Sequence, residues 1–343
     1  MPYPNGWFAV ALSRELRPGM VLRRRIRGAE IVLYRTRSGL PRAIRPYCPH
    51  LGAHLGVGGR VDGENIVCPF HSFAFDPDGI CVRTGYDTPP PKARLDSLHL
   101  REINGLLMVW CHHAGAEPDW ELPAIPTSEF PTPISFSQII VDHPQEVVEN
   151  AVDLGHIASV HRYRHAQVRE QMRVEGTRMS IGPAVQRSVP ILGTFDVDFD
   201  VEAHGLGYIY VQARIPRVRM SALVQMCATP VDPTHVEIRF TAASRIGRAP
   251  VRDGSPMRAS RALTLALARS FWRDIRLDFP VWENKIYVAR PRLAQGDGPI
   301  TAYRRWAAQF YPPTADPSAP ALESTSPGTP PAAAVHQPKG GTL

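Results

Sequence analysis

Two short units, each with one cysteine and one histidine, are the sequence feature that most limits which fold this chain can adopt. Residues 47 to 55 read YCPHLGAHL, and the second unit, CPFHS, begins twenty residues after the first cysteine. Each unit offers one thiolate and one imidazole, so a fold that brings the two loops together creates a four-ligand metal site. The candidate ligands are Cys48, His50, Cys68 and His71.

The order of these ligands bears on the kind of metal centre. Structural zinc sites usually group two cysteines in one stretch and two histidines in another. Here each unit mixes the two types, which favours a two-iron cluster whose loops each give a thiolate to one iron and an imidazole to the other. His54 is a second candidate in the first unit, but the symmetry of the two units favours His50.

Composition limits the remaining classes of function. The 343 residues include five cysteines, and this odd, sparse count argues against a disulfide framework and for a reducing compartment. The N-terminus lacks a signal-like pattern and no run of about 18 apolar residues occurs, so we expect a cytoplasmic protein without a membrane span. The net charge of +7 comes from scattered arginines without a recognition motif, so nucleic acid is not an expected partner.

Turn signals and composition divide the sequence into three parts. Residues 5–115 hold short apolar runs between turns such as SGLP, DGEN and DPDG, which predicts a small all-β domain. In residues 116–312, HPQEVVENAVDLGHIASVH and SRALTLALARSFWRDIRLDF predict helices, and 190–242 predicts alternating strands. Residues 313–343 are rich in Pro, Ala and Ser, so we expect this tail to be disordered.

The two cysteine units resemble a known signature. CPHLGAHLGVGG followed by CPFHSFAFDPDG is similar to the Rieske [2Fe-2S] signature. The resemblance implies that Cys48 and Cys68 bind one iron and that His50 and His71 bind the other, an arrangement whose neutral imidazoles raise the reduction potential. The chain departs from the usual oxygenase pattern directly after the second unit, where Ser-Phe stands in place of Gly-Trp.

A second histidine pair lies in the stretch ENAVDLGHIASVH. Non-heme iron that activates oxygen needs two imidazoles and one carboxylate on one face. On a helix, Asn150, Asp153 and His156 share a face. His161 lies about 140° from His156, so both imidazoles can reach one metal only if the helix ends or distorts between them. The pattern Asn-x-x-Asp-x-x-His-x4-His resembles the iron site of Rieske oxygenases, which implies that His156 and His161 are iron ligands.

The carboxylate ligand must come from elsewhere. LDFPVWENK, at 277–285, resembles the Asp-x-Pro-Ile/Val-Trp-x-x-Lys segment of the 3-ketosteroid 9α-hydroxylase branch, which implies Asp278 as the third ligand. Asp274, one helical turn earlier, is the alternative, but the arginines beside it favour a surface charge. GDGPITAYRRWAAQFYP, at 296–312, resembles the same branch, so the resemblance spans roughly residues 5–312.

This resemblance implies a fold of the α+β class. An N-terminal all-β Rieske [2Fe-2S] domain would be followed by a helix-grip (START-like) catalytic domain with a central antiparallel sheet and a mononuclear Fe(II). In the family, one aspartate links a Rieske histidine of one subunit to an iron-ligand histidine of the next in a head-to-tail homotrimer. That role falls to Asp153, between His71 and His156, and Asn150 is a further candidate catalytic residue.

The implied function is that of a terminal oxygenase. Such an enzyme uses O2 and external electrons to hydroxylate a hydrophobic polycyclic substrate, steroid-like or a prenylated or heteroaromatic secondary metabolite. The alternatives are N-hydroxylation or desaturation at the same site, or a Rieske electron-transfer protein without catalytic iron. The sequence has no GxGxxG element and no plant-type ferredoxin spacing, so we expect electrons from NAD(P)H to arrive through a separate ferredoxin, ferredoxin reductase or both.

Overall fold

The structure is a computed structural model that describes residues 1–189, 193–247 and 257–313. Residues Met1–Pro312 form one compact unit. The predicted disordered tail, from 313 to 343, lies outside the described residues except for Pro313 itself. None of the helices in the described ranges combines the length and the apolar character that crossing a bilayer requires.

The first third of the chain forms short antiparallel strands, as the apolar runs between turns predicted. The strands are β1 (Gly6–Leu12), β2 (Val21–Ile26), β3 (Ala29–Arg35), β4 (Pro41–Ile44), β5 (Arg60–Asp62), β6 (Asn65–Val67), β7 (Ala74–Phe75), β8 (Cys81–Arg83), β9 (Ser97–Leu98), β10 (Leu100–Ile103) and β11 (Leu106–Cys111). They build three sheets in the orders β2-β3-β4-β9, β5-β6-β7-β8 and β1-β11-β10. The small all-β domain of the predicted fold is therefore confirmed.

The two cysteine units lie in loops between these strands. The first loop joins β4 to β5, and the second joins β6 to β7. Cys48 and Cys68 pack in one apolar core with the buried side chains of Leu55 and Phe75. Both cysteine loops are thus anchored on the same core, which fixes their separation.

The rest of the described chain builds one large antiparallel sheet. Its strands are β12 (Ile134–Val141), β13 (Arg164–Glu175), β14 (Arg178–Val189), β15 (Gly193–His204), β16 (Tyr208–Ile215), β17 (Met220–Pro230) and β18 (His235–Ile246). They lie in the order β12-β18-β17-β16-β15-β14-β13. The α+β class with a central antiparallel sheet is confirmed. The strands predicted at 190–242 account only for part of this sheet, because β12, β13 and β14 precede them.

Five α-helices lie in the described residues, and the longest of them packs on the sheet. They are α1 (Pro144–Glu149), α2 (Leu154–Ser159), α3 (Met257–Ile275), α4 (Phe279–Trp282) and α5 (Ile300–Ala307). On α3, Phe271, Trp272 and Ile275 pack on Phe240 of β18. The Trp272 ring also stacks on Phe136 of β12, with centroids 5.5 Å apart. The long helix therefore packs on the sheet over its neighbouring strands β12 and β18.

The single helix predicted for HPQEVVENAVDLGHIASVH is wrong. The stretch forms two short helices, because α1 ends at Glu149 and Asp153 starts α2 as its N-cap. An aspartate at an N-cap accepts a hydrogen bond from a free backbone amide, here that of His156 at 3.1 Å. Asn150, Asp153 and His156 therefore do not share one helical face, and α2 ends before His161.

Candidate iron-sulfur and mononuclear iron sites

The first cysteine unit forms a tight loop held by backbone hydrogen bonds. The Cys48 amide donates to the Ala53 carbonyl at 2.9 Å, and the Gly52 amide donates to the Cys48 carbonyl at 2.9 Å. An isolated β-bridge between Tyr47 and His54 closes the loop. Cys48 is only 2% exposed, so its thiol is held inside the protein.

The second unit repeats this arrangement. The Cys68 amide donates to the Phe73 carbonyl at 2.8 Å, and the Ser72 amide donates to the Cys68 carbonyl at 3.2 Å. Ser72 has a φ of 56°, in the left-handed region that glycine adopts most readily. A Cβ atom at Gly85 would lie 2.3 Å from the His71 carbonyl oxygen, so the loop needs a glycine opposite it.

The two loops bring the four predicted ligands together. The rings of His50 and His71 lie 4.8 Å apart between centroids. Burial raises the pKa of Cys48 to about 11, and its contact with the Cys68 thiol adds to the increase. The Nδ1 atom of His71 is buried without a hydrogen-bond partner. Neighbouring buried thiols and an unpaired imidazole nitrogen fit a bound metal centre, which would satisfy all of them.

These four residues suit two irons better than one ion. Among the described residues, His156, His161 and Asp278 form the one group in which three or more ligand atoms lie within 4.8 Å of one another. The four ligands of the cysteine units do not form such a group. The ligands of one tetrahedral zinc would also lie that close. The geometry therefore favours a [2Fe-2S] group over structural zinc.

An aromatic ring covers the cluster loops despite the departure from Gly-Trp. The Phe73 ring is buried and stacks on His50 with centroids 4.2 Å apart and an interplanar angle of 10°. Phe70 and Tyr86, both more than half exposed, flank the ring of His71. Phe73 of the second loop thus supplies an apolar face to the His50 imidazole of the first loop.

The alternative ligand His54 is engaged elsewhere. Its Nε2 atom lies 3.2 Å from the Glu30 carboxylate, and its Nδ1 atom accepts a hydrogen bond from the Gly56 amide at 3.0 Å. Both ring nitrogens therefore have protein partners, which favours His50 as the first imidazole.

The second candidate site joins His156, His161 and Asp278. The two imidazole centroids lie 5.0 Å apart, and Nε2 of His161 lies 3.4 Å from the Asp278 carboxylate. All three side chains are largely buried, with 14%, 11% and 7% of their surface exposed. Two imidazoles and one carboxylate are the donor set of non-heme iron that activates oxygen.

The break in the helix makes this meeting possible. His156 lies in the first turn of α2, and its Nδ1 atom donates to the Asp153 carbonyl at 2.6 Å, which leaves Nε2 free as a ligand atom. His161 follows the helix end, and Arg162 turns the chain with a φ of 57°. The Nδ1 atom of His161 is buried without a partner. The ligand atoms of His156, His161 and Asp278 lie within 4.8 Å of one another, which fits a bound metal ion.

The two candidate carboxylates have different environments. Asp278 is buried and lies directly before α4. Asp274 accepts a hydrogen bond from the Tyr163 hydroxyl at 2.9 Å and pairs with Arg187 at 2.9 Å. The prediction of a surface charge at Asp274 is wrong, because the side chain is partly buried in this network. The network nevertheless occupies Asp274, which favours Asp278 as the ligand.

Asn150 and Asp153 lie in the turn between α1 and α2. Asn150 lines the pocket that contains the histidine pair. Burial would raise the pKa of Asp153, but hydrogen bonds with His156 outweigh burial and hold the pKa below its usual value. The Asp153 carboxylate is therefore charged at neutral pH, and its side chain keeps 34% of its surface exposed.

An apolar pocket of about 940 Å³, including its open mouth, leads to the second site. Alternate residues of four neighbouring strands line it, which places them on one sheet face. They are Phe199, Val201, Ile209, Val211, Ala213, Val224, Met226 and Phe240. The sequence signal for these side chains is the period of two along β15 to β18, which the metal-ligand motifs do not reveal.

Comparisons with known proteins agree with this architecture. Residues 109–311 match the model of the 3-ketosteroid 9alpha-hydroxylase C-terminal domain, and residues 6–98 match the Rieske [2Fe-2S] domain. The cholesterol 7-desaturase of Ciona intestinalis is 30% identical over 341 residues, covering 90% of this chain and 69% of the relative. A probable 3-ketosteroid-9-alpha-monooxygenase, oxygenase component, of Rhodococcus rhodochrous is 26% identical over 325 residues. The match covers 90% of this chain and 80% of that relative.

A solved structure shows the same fold. The crystal structure of dicamba monooxygenase bound to dicamba superposes with a TM-score of 0.67 at 19% identity, covering 90% of this chain and 97% of that chain. The fold and the matched domains define a Rieske non-heme iron oxygenase, an oxidoreductase. Within that class, the chain belongs to the 3-ketosteroid 9α-hydroxylase family. The predicted cofactors, a Rieske [2Fe-2S] cluster and a mononuclear iron, are those of this class.

Proposed function

We propose that this protein is the terminal oxygenase of a multicomponent system and that it hydroxylates a large, apolar, polycyclic substrate. The observation that carries the proposal is the apolar pocket that opens onto His156, His161 and Asp278. A pocket lined by aliphatic and aromatic side chains selects apolar ligands through burial of their surface. The few polar groups near the metal ligands then orient the bound molecule.

Sterols and steroids are the substrate class that we favour. The two relatives compared above are named for cholesterol and for a 3-ketosteroid, and both are similar to this chain over 90% of its length. The phenol of Tyr163 donates to Asp274 and the remaining wall is mostly hydrocarbon, so the pocket offers little polar selection. Prenylated or heteroaromatic secondary metabolites, including N-hydroxylation of the latter, form the alternative class.

We assign roles to the site residues on this basis. Cys48, Cys68, His50 and His71 hold the cluster. His156, His161 and Asp278 hold the iron, with Nδ1 of His156 fixed by the Asp153 carbonyl. When bound, the two centres supply single electrons and oxygen activation. The hydrocarbon walls exclude water, and the amide of Asn150 lies at the pocket as a polar group that can orient substrate.

The Asp153 carboxylate is proposed to connect the two kinds of site between subunits. Its charge is maintained by hydrogen bonds with His156, and about a third of its side chain faces outward. An outward carboxylate next to one imidazole can accept a hydrogen bond from an imidazole of a neighbouring chain, for which we propose His71. A cyclic trimer would repeat that contact three times.

The two proposed domains would have different roles. Residues 5–115 would receive electrons, and 116–312 would perform the oxidation. Electrons from NAD(P)H would arrive through a separate ferredoxin, ferredoxin reductase or both, and the Rhodococcus relative is itself named an oxygenase component.

Desaturation is the second candidate reaction. The Ciona intestinalis relative is named a cholesterol 7-desaturase and is 30% identical to this chain. The proposed ligand set does not by itself choose between the two outcomes, because related enzymes share the chemistry of the site. The way in which the pocket residues position the substrate would then decide which of the two products forms.

Turnover with product mass analysis tests the proposal. The purified protein is incubated with O2, NADH and a surrogate ferredoxin and reductase against sterols, 3-ketosteroids and prenylated heteroaromatics. We expect a sterol or ketosteroid product that gains one oxygen atom, labelled when 18O2 is supplied. A product that only loses two hydrogen atoms would establish desaturation. Reduction of the cluster without any product across the panel would favour an electron carrier.

A substitution in the pocket lining tests whether the substrate binds in this cavity. Val224→Trp fills the lining on β17, where Val224 is 7% exposed, and should raise the KM for a polycyclic substrate at least tenfold. Val174→Trp is the matched control, because Val174 lies on β13 with 48% exposure and outside the lining. Equal KM values in both variants would contradict substrate binding in this pocket.

A further inference from the structure

One ion pair joins the two stretches that supply the mononuclear site. His156 and His161 follow helix α1, whereas Asp278 precedes α4 far along the chain. The Nζ atom of Lys285 lies 2.7 Å from the carboxylate of Glu146, which belongs to α1. The pair therefore connects the segment that holds Asp278 to helix α1, which precedes His156 and His161 in the chain.

Both ends of this ion pair are rigidly mounted. The Lys285 amide donates to the Val281 carbonyl at 2.9 Å, which extends the last turn of α4. Phe279 and Trp282 of α4 are buried in one core with Val147, the neighbour of Glu146 on α1. A displacement of Lys285 would therefore be transmitted to α4 and to Asp278 directly before it.

Lys285 is the cation that pairs directly with the buried carboxylate of Glu146. Glu146 is 4% exposed, and its Oε1 atom is buried without a hydrogen-bond partner. Of the other acidic groups, Glu149 is paired in bidentate fashion with Arg304, and Asp142 has a pKa that burial raises to about 7. A buried carboxylate without its cation is strongly disfavoured, so Glu146 is held against Lys285.

We infer that Lys285 is a positioning residue for the mononuclear iron site, acting through Glu146 on the separation between Asp278 and the histidine pair. The inference rests on the proposed ligand set. A metal site binds tightly only when its ligands are held at the distances that the ion requires. Loss of the ion pair would loosen α4 against α1, although their shared apolar core remains, so the three donors would be held less precisely at the distances that the ion requires.

Iron retention against a chelator tests this positioning directly, without turnover. The purified, iron-loaded protein is equilibrated anaerobically with increasing ferrozine, and the retained mononuclear iron is measured while the visible absorption of the cluster is followed. Four variants are compared with the parent: Lys285→Met, Lys285→Arg, Asp278→Ala and Arg178→Met. Arg178 is the matched control, since it pairs with Glu202 at 2.6 Å between strands β14 and β15, which carry no proposed ligand.

We expect Lys285→Met to weaken iron retention between about tenfold and a hundredfold, the usual effect of removing a group that holds a ligand in place. Lys285→Arg should restore most of it, because the charge remains, and Arg178→Met should match the parent. Parental retention in Lys285→Met, with loss in Asp278→Ala, would overturn the positioning role alone. Parental retention in Asp278→Ala would instead overturn the proposed ligand set.

If Lys285→Met fails to fold, the double variant Lys285→Met/Glu146→Gln keeps the test decisive. It removes both charges, so no buried carboxylate is left unpaired. Weakened iron retention in this double variant supports the role of the ion pair in positioning. Parental retention would overturn it.

Discussion

Replacement of Ser72 by glycine should stabilise the second cluster loop. Ser72 lies between His71 and Phe73 with a φ of 56°. The left-handed region costs an L-residue roughly 1–2 kcal/mol, and glycine avoids that cost. Ser72 carries a Cβ atom in this region, so the loop holds a backbone strain that the substitution removes.

The expected size of the effect follows from two opposing terms. Glycine gains about 1–2 kcal/mol by relief of the left-handed conformation but loses about 0.5–1 kcal/mol through the extra freedom of the unfolded chain. At the midpoints of the two ranges, the difference leaves a net stabilisation of about 0.75 kcal/mol. Because about 1.4 kcal/mol corresponds to a factor of ten, the population of the opened loop should fall between about twofold and fivefold.

Cluster loss measures that population. When the loop opens and recloses faster than a chelator removes iron, the bleaching rate of the cluster is proportional to the open fraction. We expect Ser72→Gly to bleach about two to five times more slowly than the parent in excess chelator. Ser72→Ala is the matched control, since it removes the hydroxyl but keeps the Cβ atom and the strain.

The outcome separates strain from side-chain chemistry. Slower bleaching in Ser72→Gly with parental bleaching in Ser72→Ala supports the argument. Equal slowing in both variants would assign the effect to the hydroxyl group. Unchanged or faster bleaching in Ser72→Gly would refute the reasoning from backbone strain.

Three further perturbations have defined outcomes. Gly85→Ala sets a Cβ atom against the His71 carbonyl, so the purified variant should contain less iron and sulfide; full cluster content would contradict this. Burial raises the pKa of Asp142 to about 7, above its value in the unfolded chain, so the free energy of unfolding should fall as the pH rises from about 4 to 7. In Asp142→Asn, the free energy of unfolding measured with urea should depend less on pH over that range. Asp153→Asn should keep both metals but slow cluster reoxidation in single turnover with O2 and substrate; the parental rate would exclude the bridging role.

The metal centres were more predictable than the segments that hold them. Cysteine and histidine are specific in their chemistry, so short motifs around Cys48 and His156 identified the candidate ligands directly. The break of the helix before Asp153 was missed, because the spacing of Asn150, Asp153 and His156 by three residues also fits a continuous helix. The preference of aspartate for N-caps was the competing signal, and it prevailed.

Two other errors have physical causes that a sequence conceals. Strand β13 lies at the edge of the sheet and is mostly exposed, so its charged sequence, RHAQVREQMRVE, lacks a strong apolar alternation. Asp274 was expected at the surface because arginines precede and follow it closely in sequence. Its actual partners, Tyr163 and Arg187, are distant in sequence and are brought to it by the fold.

Iron content per chain tests the central claim most directly. If Asp278, His156 and His161 hold a mononuclear iron beside a separate two-iron cluster, the reconstituted parent should contain about three irons per chain. Asp278→Ala should contain about two irons with an unchanged Rieske electron-spin resonance signal, and Asp274→Ala should retain about three. Loss of the third iron in Asp274→Ala but not in Asp278→Ala, or only two irons in the parent, would contradict the account.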